Sequence, residues 1–300
     1  MGKVIFVNGT ARCGSTMVDL IMGNDPGGFS LGEVCSWYRP TRTHHFDIKC
    51  GCGVYPCPMW QRLRETSERD LYDELLGQRD LDFVVDSSKR LTWVIDQNLR
   101  LHAQGRHEVY NLFLYKAPAS LHYSRWKRGI RSLSGTAGAY QYYARAVAAG
   151  IPFVSVNYDW LVENMDEGLS AICRWVGIDF FSGKERFWEK THHHLFGSFG
   201  PRRQLFAKSP RIYRESFAED YCAAVDDLQM QLERNERLQA VLRELAHRDI
   251  RNRRIEGFSR ASTVRRPWFY YRQRAEEWKR RFFPEPYLDR EASTIQEWSI

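Results

Sequence analysis

The sequence has no long hydrophobic run. No apolar stretch in its 300 residues approaches the length of a membrane span. A buried-strand pattern starts at Val4 with no apolar segment or cleavage site of a signal peptide behind it. Met1-Gly2-Lys3-Val4-Ile5-Phe6 lacks the Ser/Thr of an N-myristoylation site. A soluble cytoplasmic protein is the expectation. Cysteine is sparse and odd in number: seven, three of them at 50–57, which argues against a secreted disulfide framework. Acidic residues are in deficit, 37 against 44 Lys and Arg, for a net charge of +7. That balance suits anionic ligands, nucleic acid or an anionic membrane surface. There is no internal repeat and no low-complexity tract. One further residue is missing, and it matters most: a phosphate-binding loop at the N-terminus has no lysine.

Val4-Ile5-Phe6-Val7-Asn8 reads as a buried strand. Gly9-Thr10-Ala11-Arg12-Cys13-Gly14-Ser15-Thr16 follows, and a helical pattern begins near Thr16. This is the spacing Gly-x-x-x-x-Gly-Lys-Ser/Thr with Ser15 in the lysine position. The glycines let backbone N–H groups turn inward, and a helix N-terminus adds partial positive charge. The cation that reaches β- and γ-phosphates is lost. Such a loop should not favour a triphosphate; a 5′-phosphate carrying something smaller suits it better.

Strands and helices alternate through the first two-thirds of the chain, the pattern of a parallel α/β sheet. Strands are expected at 4–8, 83–86, 110–115 and 153–158. Helices are expected at 16–24, 92–104, from Pro118 onward, 136–149 and 164–176, with one long helix over 218–247 carrying Tyr221, Val225, Leu228 and Leu232 at helical spacing. We expect an α/β domain over 1–215 and a helical, basic and aromatic extension over 216–300. In the extension, Arg265-Arg266-Pro267-Trp268-Phe269-Tyr270-Tyr271-Arg272 and Trp278-Lys279-Arg280-Arg281-Phe282-Phe283 interleave cations with aromatics. Three readings fit that pattern: a terminal helix docked by its aromatics with arginines in solvent, an interfacial membrane segment, or a nucleic-acid surface.

Ligands of open parallel sheets sit beyond the carboxyl ends of the strands. After the second expected strand stands Asp86-Ser87-Ser88-Lys89. After the third stands Lys116-Ala117-Pro118, with Ser124 eight residues past Lys116. A cation and a hydroxyl so spaced across a strand–helix corner can share one phosphate.

These segments together resemble the sulfotransferases that use 3′-phosphoadenosine 5′-phosphosulfate. Arg12-Cys13-Gly14-Ser15-Thr16 is similar to the family's 5′-phosphosulfate loop, Arg-Ser-Gly-Ser-Thr. Lys116 and Ser124 stand where the family has an Arg and a Ser that bind the 3′-phosphate; here lysine keeps the charge and loses the bidentate fork. Gly32-Glu33, Asp86-Ser87-Ser88-Lys89, Tyr158-Asp159-Trp160-Leu161-Val162 and His193-His194-Leu195-Phe196-Gly197-Ser198 with Arg202 or Arg203 resemble further segments of carbohydrate-type and bacterial members. The resemblance spans about residues 1–205. It implies a three-layer P-loop-like fold with a central parallel sheet flanked by helices.

The resemblance also implies 3′-phosphoadenosine 5′-phosphosulfate as donor, no divalent metal, and direct transfer to an acceptor hydroxyl. Arg12, Cys13, Gly14, Ser15, Thr16, Lys116, Ser124, Arg202 and Arg203 would bind the donor, with Arg12 and Lys89 as a cationic clamp. Glu33 is the candidate general base, with His193 and His194 in reserve. Asp86 would orient Lys89. A carbohydrate, a glycolipid or another small molecule is the expected acceptor, received by the aromatics Trp37, Tyr38, Trp60, Tyr140, Tyr142 and Tyr143. Residues 250–283 offer a peripheral membrane contact, and nucleic acid is not expected as a partner. The alternatives are a nucleotide-dependent kinase, which the missing lysine opposes, and a non-enzymatic adaptor working through its basic aromatic tail.

The segment Cys50-Gly51-Cys52-Gly53-Val54-Tyr55-Pro56-Cys57 leaves three readings open: a zinc site completed by His44 or His45, a redox-sensitive disulfide, or packing of an acceptor-side loop. Cys13 reads as a small filler of the phosphate loop, since direct transfer needs no covalent intermediate.

Overall fold

The computed structural model of the chain describes residues 2–77, 81–208, 230–252 and 264–284. Five parallel strands form its centre: β1 (Lys3–Gly9), β2 (Gly28–Gly32), β3 (Phe83–Asp86), β4 (Glu108–Tyr115) and β5 (Val154–Asn157), in the order β2-β3-β1-β4-β5. Around them lie α1 (Ser15–Met22), α2 (Cys35–Tyr38), α3 (Pro58–Arg62), α4 (Leu71–Gly77), α5 (Leu91–Gln104), α6 (Pro118–Trp126), α7 (Leu133–Ala139), α8 (Gln141–Ala148), α9 (Tyr158–Glu163), α10 (Met165–Val176), α11 (Phe199–Ala207), α12 (Glu236–His247) and α13 (Trp268–Phe282).

The period of two along β1 builds the layers. Ile5 and Val7 face one cluster with α1, α9 and α10, while Val4 and Phe6 face another with Trp93 of α5 and Leu71 of α4. All four are fully buried, as a parallel sheet covered on both faces requires. This is the expected α/β fold with a central parallel sheet between helices.

The structure departs from the sequence reading in three places. Strand β2 was not expected: Phe29-Ser30-Leu31 is too short an apolar run, between glycines, to announce itself, and it becomes a strand by pairing with β3. The expected helix 136–149 is two helices. The first starts early because the Ser132 side chain accepts from the Gly135 N–H, and the two meet at Tyr140, whose hydroxyl donates to the Lys116 carbonyl at 2.5 Å. The expected long helix 218–247 is interrupted: Asn235 accepts from the Leu238 N–H and starts α12 afresh. Tyr221, Val225 and Leu228 lie outside the described residues, as does the expected boundary at 215/216.

The described part of the extension packs on the α/β domain. Leu238 and Leu245 of α12 and Phe269 and Tyr270 of α13 share one buried cluster with α5, α8, Phe113 of β4 and Phe153 just before β5. Asp249 bridges in parallel to Ser155 at the free edge of β5. Tyr270 and Arg266 both donate to Asp96 of α5, at 2.6 and 3.1 Å. Trp268, Tyr271, Trp278, Phe282 and Phe283 stay exposed. The docked-helix reading therefore describes Phe269 and Tyr270 and leaves five aromatics in solvent. Among the described residues, no helix is long and apolar enough to cross a membrane.

One buried carboxylate joins α1 to the sheet. Asp19 accepts from Ser30 of β2 at 2.6 Å, from the Gly32 N–H at 3.1 Å and from Ser87 past β3 at 2.5 Å. Ser30 is also 2.7 Å from His194 Nδ1. Burial pushes the Asp19 carboxyl up to about 7, against the lowering effect of its three donors. The folded state therefore holds this proton more tightly than the unfolded chain. Stability should fall as pH rises from about 4 to about 7, by on the order of 4 kcal/mol from this group. Asp19→Asn, compared with the wild type in urea unfolding across that range, should be less stable at low pH and should lose this part of the slope. An unchanged slope would mean that Asp19 stays ionised in the fold.

Candidate active site

The loop between β1 and α1 is held by close packing and by hydrogen bonds. Gly9 has φ 147°, and a Cβ there would lie 2.4 Å from the Leu114 carbonyl oxygen. Gly14, the residue before α1, has φ 98°, and its Cβ would lie 2.1 Å from the Tyr158 ring. Both positions demand glycine for conformation and for space. Tyr143 donates to the Leu114 carbonyl at 2.6 Å, and its oxygen accepts from the Thr10 N–H at 3.3 Å. Cys13 is fully buried and burial raises its pKa, so it is a filler thiol in this loop. The Thr10 hydroxyl is buried with no hydrogen-bond partner.

Beside the loop is a cleft of about 220 Å³. Arg12, Gly14 and Thr16 of the loop, Lys116 from the end of β4, and Ser124, Lys127 and Arg128 from α6 and its end line it, together with Tyr158. Lys116 Nζ donates to Ser124 Oγ at 3.0 Å, as the eight-residue spacing anticipates, and lies 4.8 Å from the centre of the Tyr158 ring. Asp159 accepts from the Ala117 N–H at 2.8 Å and fixes the corner after β4. Four cations meet here and no carboxylate lines the cleft among the described residues. Lys127 and Arg128 belong to a basic stretch in sequence; only the turn ending α6 aims them at this cleft.

Glu33 and Lys89 meet outside that cleft. Lys89 Nζ donates to Glu33 Oε1 at 2.6 Å, with both side chains largely buried. Burial works against the Lys89 ammonium, but the Glu33 carboxylate overcomes it and its pKa lies above the ordinary lysine value. Lys89 and Arg12 are two of the four described non-glycine residues with left-handed φ, 56° and 77°. Such conformations cost about 1–2 kcal/mol each and gather at functional sites. Asp86 does not touch Lys89: it accepts from Tyr72, Trp93 and the Ser88 N–H, and so shapes the turn that presents it.

Lys89 also lines a larger cavity of about 620 Å³, between Arg90 and Leu91 at the start of α5, Tyr142 and Arg145 of α8, and Phe269, Arg272 and Glu276 of α13. The extension thus supplies one wall. Of the aromatics expected around an acceptor, only Tyr142 lines this cavity. Tyr140 and Tyr143 are buried with their hydroxyls on backbone carbonyls beneath the loop. Trp60 is buried against Trp37, and Tyr38 stacks on Trp93.

Other expected groups lie elsewhere. Arg202 donates to the Lys49 carbonyl at 2.7 Å and Arg203 is exposed; neither lines the cationic cleft. His194 is fully buried against Ser30, with burial holding its pKa well below the ordinary value. His193 faces Cys57 and Cys50, its Nδ1 3.3 and 3.9 Å from their sulfurs. The histidine beside the thiols is therefore His193, which replaces His44 and His45: those two rings pack on each other and on Phe196. No sequence spacing could reveal this, because 136 residues separate Cys57 from His193.

The sequence matches no protein-family model and no curated protein. Solved structures are similar to it. A sulfotransferase domain from the curacin biosynthetic pathway aligns with a TM-score of 0.53 at 15% identity, over 82% of this chain and 98% of that one. A sulfotransferase domain from the olefin synthase of Synechococcus PCC 7002 aligns at 0.46 and 13% identity, over 76% and 94%. A sulfotransferase from Alicyclobacillus acidocaldarius aligns at 0.39 and 12%, over 78% and 97%. With the strand–loop–helix of β1 and α1 at its centre, the chain has the P-loop-like fold of a sulfotransferase.

Proposed function

We propose that this chain is a sulfotransferase that moves a sulfuryl group from 3′-phosphoadenosine 5′-phosphosulfate to an acceptor hydroxyl by direct in-line transfer. The observation that carries the reading is the acid-free cleft in which Arg12, Lys116, Lys127 and Arg128 converge on Ser124 and the loop. Four cations suit a ligand with two separated phosphates. Ser15 in place of lysine, and the unpartnered Thr10 hydroxyl, suit a 5′-phosphate better than a magnesium triphosphate.

In this reading the backbone N–H groups of Cys13 to Thr16, with the Ser15 and Thr16 hydroxyls, hold the 5′-phosphate. Lys116 and Ser124 hold the 3′-phosphate, with Lys127 and Arg128 beside them. Arg12 and Lys89 stabilise charge that builds on the leaving phosphate and the sulfuryl oxygens. The bond from sulfur to the acceptor oxygen forms as the bond from sulfur to the phosphate oxygen breaks, and the acceptor proton passes to Glu33. The Glu33–Lys89 pair sets both in place: the ammonium orients the carboxylate through their 2.6 Å hydrogen bond, and the carboxylate keeps the ammonium charged. Arg202 and Arg203 do not line the cleft, although Gly200, Pro201 and Gln204 of the same helix do, and we leave them out of this site.

The acceptor enters through the cavity between α5, α8 and α13. On the same helix as its wall, Trp278 and Phe282 are exposed among Lys279, Arg280 and Arg281. Exposed aromatics among cations fit an anionic lipid interface, which favours a lipid-borne acceptor such as a glycolipid.

Adenosine 3′,5′-bisphosphate without metal should raise the melting temperature by several degrees, since a ligand at ~100 times its dissociation constant adds about 2.7 kcal/mol. ATP with Mg²⁺ should do little; a shift with ATP–Mg²⁺ alone would favour a kinase. Lys89→Ala should reduce turnover by about 10²–10³-fold and Glu33→Gln by about 10²–10⁴-fold, with bisphosphate affinity changed far less. Equal losses in turnover and affinity would reduce Lys89 to an anchor, and an active Glu33→Gln enzyme would remove the base assignment. Co-sedimentation with vesicles containing anionic lipid should weaken in a Trp278→Ala/Phe282→Ala double variant; no difference would sink the lipid contact.

A further inference from the structure

We propose that Cys50, Cys52, Cys57 and His193 bind one zinc ion. Their three sulfurs and one imidazole nitrogen all lie within 4.8 Å of one another. A tetrahedral Cys₃His site with Zn–S about 2.3 Å and Zn–N about 2.0–2.1 Å needs its ligand atoms roughly 3.5–3.8 Å apart. The Nδ1 of His193 is 3.3 Å from Cys57 Sγ and 3.9 Å from Cys50 Sγ, on either side of that separation.

The surroundings favour a held ion over three loose thiols. The loop at 50–57 has no strand or helix of its own and depends on a few backbone contacts. Cys50 bridges to Leu195, the Gly51 N–H donates to the His194 carbonyl at 2.9 Å, and the Gly53 N–H donates back to the Cys50 carbonyl at 3.1 Å. The His193 ring stacks on Phe29, and Trp60 Nε1 donates to the His193 carbonyl at 2.7 Å, so its backbone and ring are fixed from two sides. Rigid support of this kind orients ligating imidazoles. Three thiolates around a divalent ion leave a net charge of −1. Arg202 is close enough to Cys50 for their charges to interact, and its Nε is buried with no hydrogen-bond partner. A thiolate-rich zinc centre gives that guanidinium an anionic neighbour. Three soft sulfur ligands select zinc over the hard divalent ions.

The ion would act as a brace. Leu195, two residues past His193, accepts from the Glu33 N–H at 2.8 Å and bridges to Gly32. The metal would clamp the 50–57 loop to the segment that fixes Glu33. No reacting group touches it.

Metal analysis of protein expressed with added zinc and passed over a sizing column in EDTA decides the matter. We expect one zinc per chain, and cobalt substitution should give intense tetrahedral ligand-field bands with thiolate charge-transfer absorption. Cys52→Ser and His193→Ala should lose the metal, while His44→Ala should keep it. If the variants fail to fold, the cobalt spectrum of the wild type still answers. Metal-free protein with three reactive thiols would overturn the proposal, and so would a chain two hydrogens lighter with a disulfide in this loop. Both readouts are independent of sulfuryl transfer, so they stand or fall apart from the proposed activity.

Discussion

The carboxylate of Asp19 is the point at which the phosphate loop is tied to the rest of the chain. It sits one turn into α1 and takes hydrogen bonds from Ser30 and Gly32 of β2 and from Ser87 in the turn after β3. Glu33 directly follows β2, and Lys89 lies in the turn after β3. The helix that begins at the loop is thus locked to the two segments that supply the proposed base and one proposed clamp cation. Burying a carboxylate is unfavourable, and the raised Asp19 pKa records that cost. Apolar packing alone would hold α1 on the sheet, but it would not fix three backbone segments against one another by direction.

Charge is arranged in two compartments around this anchor. On one side, cations from the loop, β4 and α6 share a cleft without acids. On the other, Lys89, paired with Glu33, lines a cavity to which α13 supplies one wall. Arg12 and Lys89 both adopt backbone conformations that L-residues resist, and the packing around Gly14 and the Asp86 turn holds them there. A ligand joined across the loop would meet cationic groups on both sides of its reacting centre. That arrangement is what electrostatic stabilisation of group transfer asks for, with little reorganisation at the moment of reaction.

The extension and the cysteine loop are integral to the same site. Helix α13 docks by Phe269 and Tyr270 and brings Arg272 and Glu276 to the larger cavity. The cysteine loop reaches Glu33 through Leu195.

Much of this was legible in residues and spacing. Four of five strands, the glycine-bracketed loop, the Lys116–Ser124 pairing and the strand-end position of Lys89 follow from local pattern. Each depends on chain geometry over fewer than about ten residues. Strand β2 was not legible, because Phe29-Ser30-Leu31 is extended only by its pairing with β3. The breaks at Tyr140 and Asn235 escaped periodicity because a long-range hydrogen bond and a single cap decide them. The sequence by itself determined the fold type and the two glycines that bracket the loop between β1 and α1. Only the tertiary structure decided which histidine faces the thiols, which tyrosines are core, and which helix walls the cavity. Those contacts span from 24 and 29 residues for the tyrosines to 136 for Cys57 and His193, and chain connectivity puts no bound on them until the sheet is assembled.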